Sequence, residues 1–277
     1  MRPLGYIVVA LLSQACAATS GPVVTIAAAD TDAEARAFID AYTTGLKPLS
    51  IAAGKAWYAA SVTGTDADFA TSRAAQDAVN AFLANAERFG RVRTLRDGGQ
   101  VHDPILRREL DVMYRAMLGK QVEPELLRRI TALESEVEQT FNTYRGKIAG
   151  REVTQNEIEQ ILDTSTKEKE LRAAWEAQKA VGPLIAPKLT ELVRLRNEVA
   201  STLGFRDFYA LKLAEAEQDE TALLALFDQL DQLTREPFLR AKAVVDGRLA
   251  KRLGIKAAAL RPWHYQNPFF QEPPDVF

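Results

Sequence analysis

The stretch that decides the fold is residues 187–204, PKLTELVRLRNEVASTLG. Its apolar residues recur three or four positions apart, which is the spacing of one face of an α-helix. These residues are Leu189, Leu192, Val193, Leu195 and Val199. Proline suits the first turn of a helix and glycine commonly follows the last, so Pro187 and Gly204 mark its ends. The pattern predicts a helix that buries one side.

The same spacing recurs on both sides of this stretch. It predicts helices over residues 31–64 with an interruption at Pro48, 66–89, 104–119, 124–146, 156–162, 168–181 and 221–253 with a kink at Pro237. No window alternates apolar and polar residues as a strand does, and nothing repeats at a fixed period. The sequence therefore predicts an all-α protein, built as one continuous helical domain.

Three helix starts carry the capping-box pattern, in which a Ser or Thr is followed three residues later by Glu. The pairs are Thr31–Glu34, Thr154–Glu157 and Ser165–Glu168. A capping role is also expected for the polar groups of Asn197-Glu198 near a helix C-terminus. For Trp175-Glu176, we expect a core tryptophan beside a solvated carboxylate.

The first residues have the character of an export signal. Arg2 precedes an apolar run, LGYIVVALL, and Ala15-Cys16-Ala17 is a small-x-small cleavage pattern. The run is too short to span a bilayer. We therefore predict a signal peptide over residues 1–17, a helical remainder over residues 18–277, and an exported protein that is periplasmic or secreted.

Cys16 is the single cysteine of the chain. Cleavage after Ala17 would remove it, so no disulfide can form within the mature protein. The alternative is a lipoprotein held at the membrane through Cys16. Leu12 lies one residue too far upstream for a good lipidation motif, so cleavage is the preferred interpretation.

The charge balance excludes one class of partner. The chain has 277 residues, a formal net charge of −2 and a pI of about 5.9. It lacks the basic field that nucleic-acid binding requires, so no nucleic-acid partner is expected. The hydrophobic content of 47% is enough for a substantial core.

The sequence offers little catalytic chemistry of its own. Its two histidines are His102 and His264, and neither has a second histidine at metal-ligand spacing. No His-Glu-x-x-His, Gly-x-Ser-x-Gly, phosphate-loop or dinucleotide motif occurs. We assign no catalytic residue and no metal ligand within this chain.

The candidate functional segment is residues 261–271, RPWHYQNPFFQ, which follow Leu260. One titratable ring, His264, lies among aromatic side chains and between prolines, which suits a rigid cleft wall. The alternative is an aromatic plug that docks onto the helices. If these rings instead await a partner in further sequence, a contiguous apolar surface that includes Trp263, Phe269 and Phe270 should be exposed.

Three stretches resemble the angiotensin-converting-enzyme-like peptidyl-dipeptidases, particularly their exported bacterial branch. Residues 33–63 resemble the first long helix, with its Trp-Tyr pair and a threonine near the end. Residues 174–209 are the most specific, with AWE at 174–176, LRNEVA at 195–200 and GFRD at 204–207. Residues 261–271 resemble the Pro-Trp-His-Tyr-x-Asp/Asn-Pro-Phe-Phe-Gln segment.

The resemblance implies an all-helical, deeply clefted zinc peptidase in which a His-Glu-x-x-His helix and a later glutamate hold the metal. That helix lies beyond Phe277 in family order, so these residues would form the lid and one cleft wall. The complete enzyme would bind zinc, act on peptides and release C-terminal dipeptides, whereas this chain alone would bind no zinc and be inactive.

We predict three substrate-binding positions, Gln266, Tyr265 and His264, and the resemblance implies the first two as alternatives. A family glutamine that holds the C-terminal carboxylate of the substrate corresponds to Gln266, or to Tyr265 after a one-residue shift, and His264 precedes them. Two alternatives remain: a fragment of a thimet-oligopeptidase-type endopeptidase, and a helical peptide-binding protein without catalysis. The Asn-Glu and Gly-Phe-Arg-Asp stretches favour the angiotensin-converting-enzyme-like family over the thimet-oligopeptidase type.

Overall fold

The computed structural model describes residues 25–276, with side chains from residue 31 onward. The predicted signal peptide over residues 1–17, and Cys16 with it, lie outside the described residues. The elements are α1 Thr25–Thr63, α2 Asp66–Leu83, α3 Ala86–Asp97, α4 Pro104–Leu118, α5 Pro124–Thr143, β1 Gly146–Ile148, β2 Arg151–Val153, α6 Gln155–Thr164, α7 Glu168–Lys179, α8 Gly182–Thr202, α9 Phe208–Glu215 and α10 Glu220–Leu253. Two short 3-10 helices follow, Ala257–Ala259 and Pro262–His264.

The all-α prediction is confirmed, with one small addition. Strands β1 and β2 form an antiparallel hairpin with Gly146 opposite Val153. The two turn residues, Ala149 and Gly150, have φ values of 51° and 82°. A two-residue hairpin turn of this kind requires positive φ at both positions. Strands of three residues are too short to leave an alternating pattern in the sequence.

Several predicted boundaries are wrong. Helix α1 begins at Thr25 and continues through Pro48, so Thr31–Glu34 lies inside the helix and does not start it. The predicted helix over residues 66–89 is divided at Asn85, whose side chain accepts a hydrogen bond from the Arg88 backbone N–H at 2.7 Å. Because Asn85 caps the start of α3, the single helix that the apolar spacing suggested is two helices.

One further start differs from prediction. Helix α8 begins at Gly182, five residues before the predicted start, and carries Pro187 within it. Pro183 suits the first turn, whose N–H groups have no helical partners, whereas Pro187 lies in the second turn and removes one helical hydrogen bond. At the other end of α8, the Asn197 side chain accepts a hydrogen bond from the Phe208 backbone N–H at 2.9 Å. Its expected capping role is thus confirmed.

The two remaining capping boxes have opposite outcomes. Thr154 and Glu157 form the reciprocal pair that opens α6. The backbone N–H of Thr154, followed by the side chains of Arg151 and Thr154, lowers the pKa of Glu157 to about 2. Ser165 and Glu168 form no such pair, because α7 begins at Glu168 itself. Ser165 instead accepts from the backbone N–H of Lys167, and the Glu168 carboxylate is used elsewhere.

The described core consists of three apolar clusters. The first joins α1, α3 and α4 around Leu106, Leu110 and Met117. The second joins the hairpin, α6 and α7, and the third joins α5, α8 and α9 around Leu195 and Leu211. Helix α10 contributes little to them: Leu249 and Ala250 are its buried residues. It ends at Gly254 in the left-handed conformation, φ 68°, and leads into the candidate segment.

Candidate functional site

The candidate segment, defined here as residues 261–271, lies against α7 on one side and α10 on the other. Its Pro262–His264 turn packs on α7, where the rings of Trp263 and Trp175 make an edge-to-face contact with centroids 6.0 Å apart. Trp175 and Trp263 are both partly buried against the hairpin–α6–α7 cluster. The docked alternative is therefore confirmed for Trp263, and its expected exposure is wrong. Phe269 and Phe270 remain 50% and 57% exposed.

His264 fixes the path of the segment. Its side chain is buried, and Nδ1 accepts a hydrogen bond from the Arg261 backbone N–H at 2.8 Å. Because Nδ1 is an acceptor, the proton of the neutral ring lies on Nε2, which donates to the Glu168 carboxylate at 2.6 Å. Both ring nitrogens are used within the fold.

Glu168 is the partner that joins the segment to α7. Its second oxygen accepts a hydrogen bond from Trp263 Nε1 at 2.9 Å. Partial burial acts to raise the pKa of Glu168, but the hydrogen bonds from His264 and Trp263 outweigh it and hold the pKa below its ordinary value. The carboxylate also lies in the first turn of α7, where the helix dipole favours negative charge. We call this group, Glu168, Trp263 and His264, the α7 clamp.

The segment has a second attachment to α7. The Lys179 ammonium donates to the Pro268 carbonyl at 2.8 Å and lies 4.8 Å from the centre of the Phe269 ring. Burial lowers the pKa of this lysine. A cation over an aromatic face is attracted by the electron-rich face of the ring. Residues 264 and 268 are thus tied to opposite ends of the same helix.

Tyr265 faces α10. Its hydroxyl donates to Asp246 Oδ1 at 2.9 Å and accepts from Lys242 Nζ at 3.1 Å. Lys242 also pairs with Asp246 at 2.6 Å, and the bonds to Asp246 and Tyr265 raise the pKa of the lysine. The result is a closed polar triangle beside an apolar wall formed by Phe238, Val245 and Pro262. Lys242, Tyr265 and this apolar wall line a cavity of about 590 Å³.

Gln266 points away from that cavity. Its amide nitrogen donates to the Asp163 carbonyl at 3.0 Å, and its amide oxygen accepts from the Asp275 backbone N–H at 2.7 Å. These contacts border a separate cavity of about 520 Å³, which Arg252 and Asn267 also line. The structure therefore places Tyr265 and Gln266 on different sides of the segment.

The backbone of Gln266 is unusual. Its φ is 61°, a left-handed value that side chains other than glycine, asparagine and aspartate rarely adopt. Such a conformation costs of order 1–3 kcal/mol and persists only where the surroundings enforce it. Here the α7 clamp on one side and the Asp163 and Asp275 contacts on the other enforce it. Backbone strain of this kind clusters at binding sites.

The described residues do not fit a zinc ion. Among them, no group of three or more His, Cys, Asp or Glu side chains is arranged to hold a metal. His264 has no free ring nitrogen, and His102 is exposed on the loop before α4. No step of a zinc mechanism can therefore be assigned to them.

Sequence reasoning missed four residues of this site, which are Glu168, Lys179, Lys242 and Asp246. Glu168 carried a signal, but one that pointed to the capping box with Ser165. Lys242 and Asp246 are four residues apart on α10, the spacing of an ordinary surface ion pair. Nothing local marks their contact with Tyr265, because the residues that meet are separated by a turn of the chain after Gly254.

The fold is all-helical, and the comparison with known families gives its class. Residues 29–250 match the family model described as angiotensin-converting enzyme. The chain belongs to the angiotensin-converting enzyme family. Enzymes of this family are zinc-dependent and act on peptides. The matched range ends before the candidate segment, so the roles of His264, Tyr265 and Gln266 stay predictions.

One curated relative shares a part of the chain. Over 109 residues, 38% of this chain, the sequence is 35% identical to the angiotensin-converting enzyme-like protein Ace3 of Mus musculus. The shared stretch spans 14% of that relative's length. The shared stretch is too small a part of that relative for the activity of a whole enzyme to be assigned to this chain. None of the helices described here is both long and apolar enough to cross a membrane.

Proposed function

We propose that residues 18–277 form the lid and one cleft wall of an exported zinc peptidase that releases dipeptides from peptide C-termini. The zinc-binding helix and the general base belong to the complete enzyme, and these residues alone are inactive. The family match over residues 29–250 supports this assignment and favours it over the thimet-oligopeptidase type. Export rests on the signal-peptide pattern of residues 1–17.

The observation that carries the proposal is the arrangement of the candidate segment. The α7 clamp holds residues 261–264 rigidly, and the two next residues present an amide and a phenol on either side. An amide N–H and a phenol O–H are donors that suit a carboxylate. The apolar wall beside Tyr265 suits an apolar side chain of a bound peptide.

Gln266 is the residue we assign to the carboxylate. In the described structure its N–H donates to a neutral carbonyl, that of Asp163. A substrate carboxylate would replace this bond with a charge-assisted one, which is stronger. Tyr265, on the other side of the segment, is the alternative donor, and its hydroxyl accepts a hydrogen bond from Lys242 at 3.1 Å. His264 is a positioning residue, because both of its ring nitrogens form hydrogen bonds within the chain.

Peptide binding tests this assignment directly. Tryptophan fluorescence should report on a bound peptide through Trp263, and peptides with a free C-terminus should bind more tightly than their amides. Gln266→Ala should reduce that preference by about tenfold or more, since a hydrogen bond to a charged group contributes about 1.5–3 kcal/mol. Gln160→Ala, an exposed glutamine on α6, is the matched control and should leave the preference unchanged.

An equal loss of affinity for acids and amides in Gln266→Ala would move the carboxylate role to Tyr265 or to another residue. Hydrolysis is the second measurement. Residues 18–277 alone should release no dipeptide and bind no stoichiometric zinc, and the same residues joined to the zinc-binding part of a family member should do both. Zinc-dependent turnover by residues 18–277 alone would refute the proposal, and peptide binding without turnover in both forms would favour a non-catalytic binding protein.

A further inference from the structure

We propose that Lys120 is a reactive amine that forms a reversible imine with small aldehydes bearing an anionic group. The site is a cavity between α4 and α9. It does not depend on the proposed peptidase function, because no residue of the segment lines it.

The cavity has the size and lining of a small-molecule site. Its volume is about 520 Å³. Val112, Ala116, Phe208 and Leu211 supply apolar walls, which small-molecule pockets usually have. Of the charged side chains that line it, four are basic and two are acidic, so an anionic ligand is favoured over a cationic one.

The basic side chains differ in whether they are paired. Arg108 pairs with Glu217, and Arg115 pairs with Asp111 at 3.0 Å and with Glu217 at 3.0 Å. Lys212 pairs with Glu215. Lys120 is half-buried just after α4, and its ammonium forms no hydrogen bond or ion pair with the described residues. It is the amine of this cavity that is left available to a ligand.

The surroundings of Lys120 favour its neutral, nucleophilic form. Burial lowers the pKa of its amine, and the positive charges of Lys212 on α9 and Arg196 on α8 act in the same direction. Glu134 on α5 and Glu215 on α9 oppose the shift, but burial outweighs them. A lysine that loses its proton more readily reacts faster at neutral pH.

Gly119 keeps a carboxylate close to this amine. A Cβ at position 119 would collide with the Glu215 carboxylate oxygen, so the absence of a side chain lets Glu215 lie against the turn that precedes Lys120. A carboxylate in the same cavity can accept the proton that the ammonium must lose before it attacks.

The reaction is balanced without any further reagent. The deprotonated amine attacks the aldehyde carbon, and the carbonyl electron pair moves to oxygen, which takes up a proton. The resulting carbinolamine loses its hydroxyl as water. The sum is one lysine ammonium and one aldehyde giving one protonated imine and one water. Arg108, Arg115 and Lys212, which also line the cavity, attract the anionic group of the aldehyde.

Labelling by pyridoxal 5′-phosphate tests the site. The purified chain is treated with limiting probe at neutral pH, the imine is reduced with borohydride, and the modified lysines are mapped by peptide mass spectrometry. We expect Lys120 to be labelled severalfold more than Lys188, which is ion-paired with Glu136 on the surface. Pyridoxal, which lacks the phosphate, should label Lys120 severalfold less than the phosphate form.

Variants complete the test. Lys120→Gln should remove most of the label, and Lys188→Gln, which also deletes one lysine amine, should leave it nearly unchanged. An even distribution of label over the exposed lysines would overturn the proposal, and equal labelling by pyridoxal would overturn its anionic part. Should Lys120→Gln fail to fold, the map of the unaltered chain decides by itself.

Discussion

Helices α8 and α10 are both long and both rich in leucine, yet they differ in what surrounds them. Helix α8 packs against α5 and α9 and buries Leu192, Leu195 and Val199. In α10, by contrast, Leu226, Leu230 and Leu233 are 49%, 44% and 73% exposed. Leucine content alone therefore does not tell which helix is in the core.

The difference between α8 and α10 shows that the signals that form a helix are distinct from those that bury it. Helix α10 has sound local signals: the Asp219 side chain accepts from the Ala222 backbone N–H at 2.8 Å, and Gly254 ends the helix in a left-handed cap. Such caps stabilise a helix whether or not it is packed. In α8, Leu192, Leu195 and Val199 lie on one buried stripe, whereas Leu226, Leu230 and Leu233 of α10 share the same helical spacing and stay exposed. Burial therefore needs a facing surface as well as a stripe of apolar side chains.

Removing one leucine from each helix gives the largest expected contrast. Leu195→Ala deletes a side chain with no exposed surface, and we expect a loss of about 2–5 kcal/mol in the free energy of unfolding. Leu233→Ala deletes a mostly exposed one, and the change should stay within about 0.5 kcal/mol. Urea denaturation followed by circular dichroism measures both. Similar losses would mean that α10 is packed in solution.

The α7 clamp provides a second contrast, because it attaches residues after α10 by polar contacts rather than by apolar packing. Glu168→Gln removes the charged acceptor of His264 and Trp263, and we expect a loss of about 1–3 kcal/mol. Trp263 fluorescence should shift towards that of an exposed indole. Glu176→Gln on the same helix, which breaks an exposed pair with Arg172, is the matched control and should have little effect.

The stability that the α7 clamp contributes should also depend on pH. The folded-state pKa of Glu168 lies below its ordinary value of 4.5. Its contribution to stability is therefore fully present above about pH 4.5 and is lost as the pH falls through the folded-state pKa. Stability measured between pH 7 and pH 3 should fall more steeply in the unaltered protein than in Glu168→Gln. Parallel pH profiles would show that the carboxylate does not hold the segment.

Capping provides a smaller and more local effect. Thr154→Ala removes the side chain that accepts from the Glu157 backbone N–H at 3.2 Å, and the expected cost is about 1 kcal/mol. Ser165→Ala, at the position where the predicted capping box does not form, should cost less. Equal losses at the two positions in thermal or urea unfolding would contradict the assignment of α6 and α7 starts.

The smallest effect on stability should accompany a clear change in surface behaviour. Leu230→Ser together with Leu233→Ser replaces two exposed leucines of α10, so the free energy of unfolding should change by less than about 1 kcal/mol. Binding of a hydrophobic dye should fall, because contiguous exposed apolar surface is what such dyes bind. Unchanged dye binding would place the accessible apolar surface elsewhere, for example at Phe269 and Phe270.

The sequence by itself determined the all-helical class, most helix positions and the family. These depend on local spacing, on capping residues such as Thr154, and on motifs such as AWE at 174–176, all of which are short-range properties of the chain. It also selected residues 261–271 as the candidate segment. It misjudged starts where a proline or a Ser-x-x-Glu pattern lies inside or beside a helix, as at Pro48, Pro187 and Ser165.

Only the tertiary structure decided how those elements meet. Three of these contacts are long-range. Glu168 binds His264 across 96 positions, and Tyr265 contacts Lys242 and Asp246 on another helix. Much of the apolar surface of α10 stays exposed, whereas α8 buries Leu192, Leu195 and Val199. A side chain's spacing within its own helix specifies a face, but not what that face contacts. The packing of the helices and the turn after Gly254 determine which residues that face contacts. Neither can be predicted from a short stretch of the sequence.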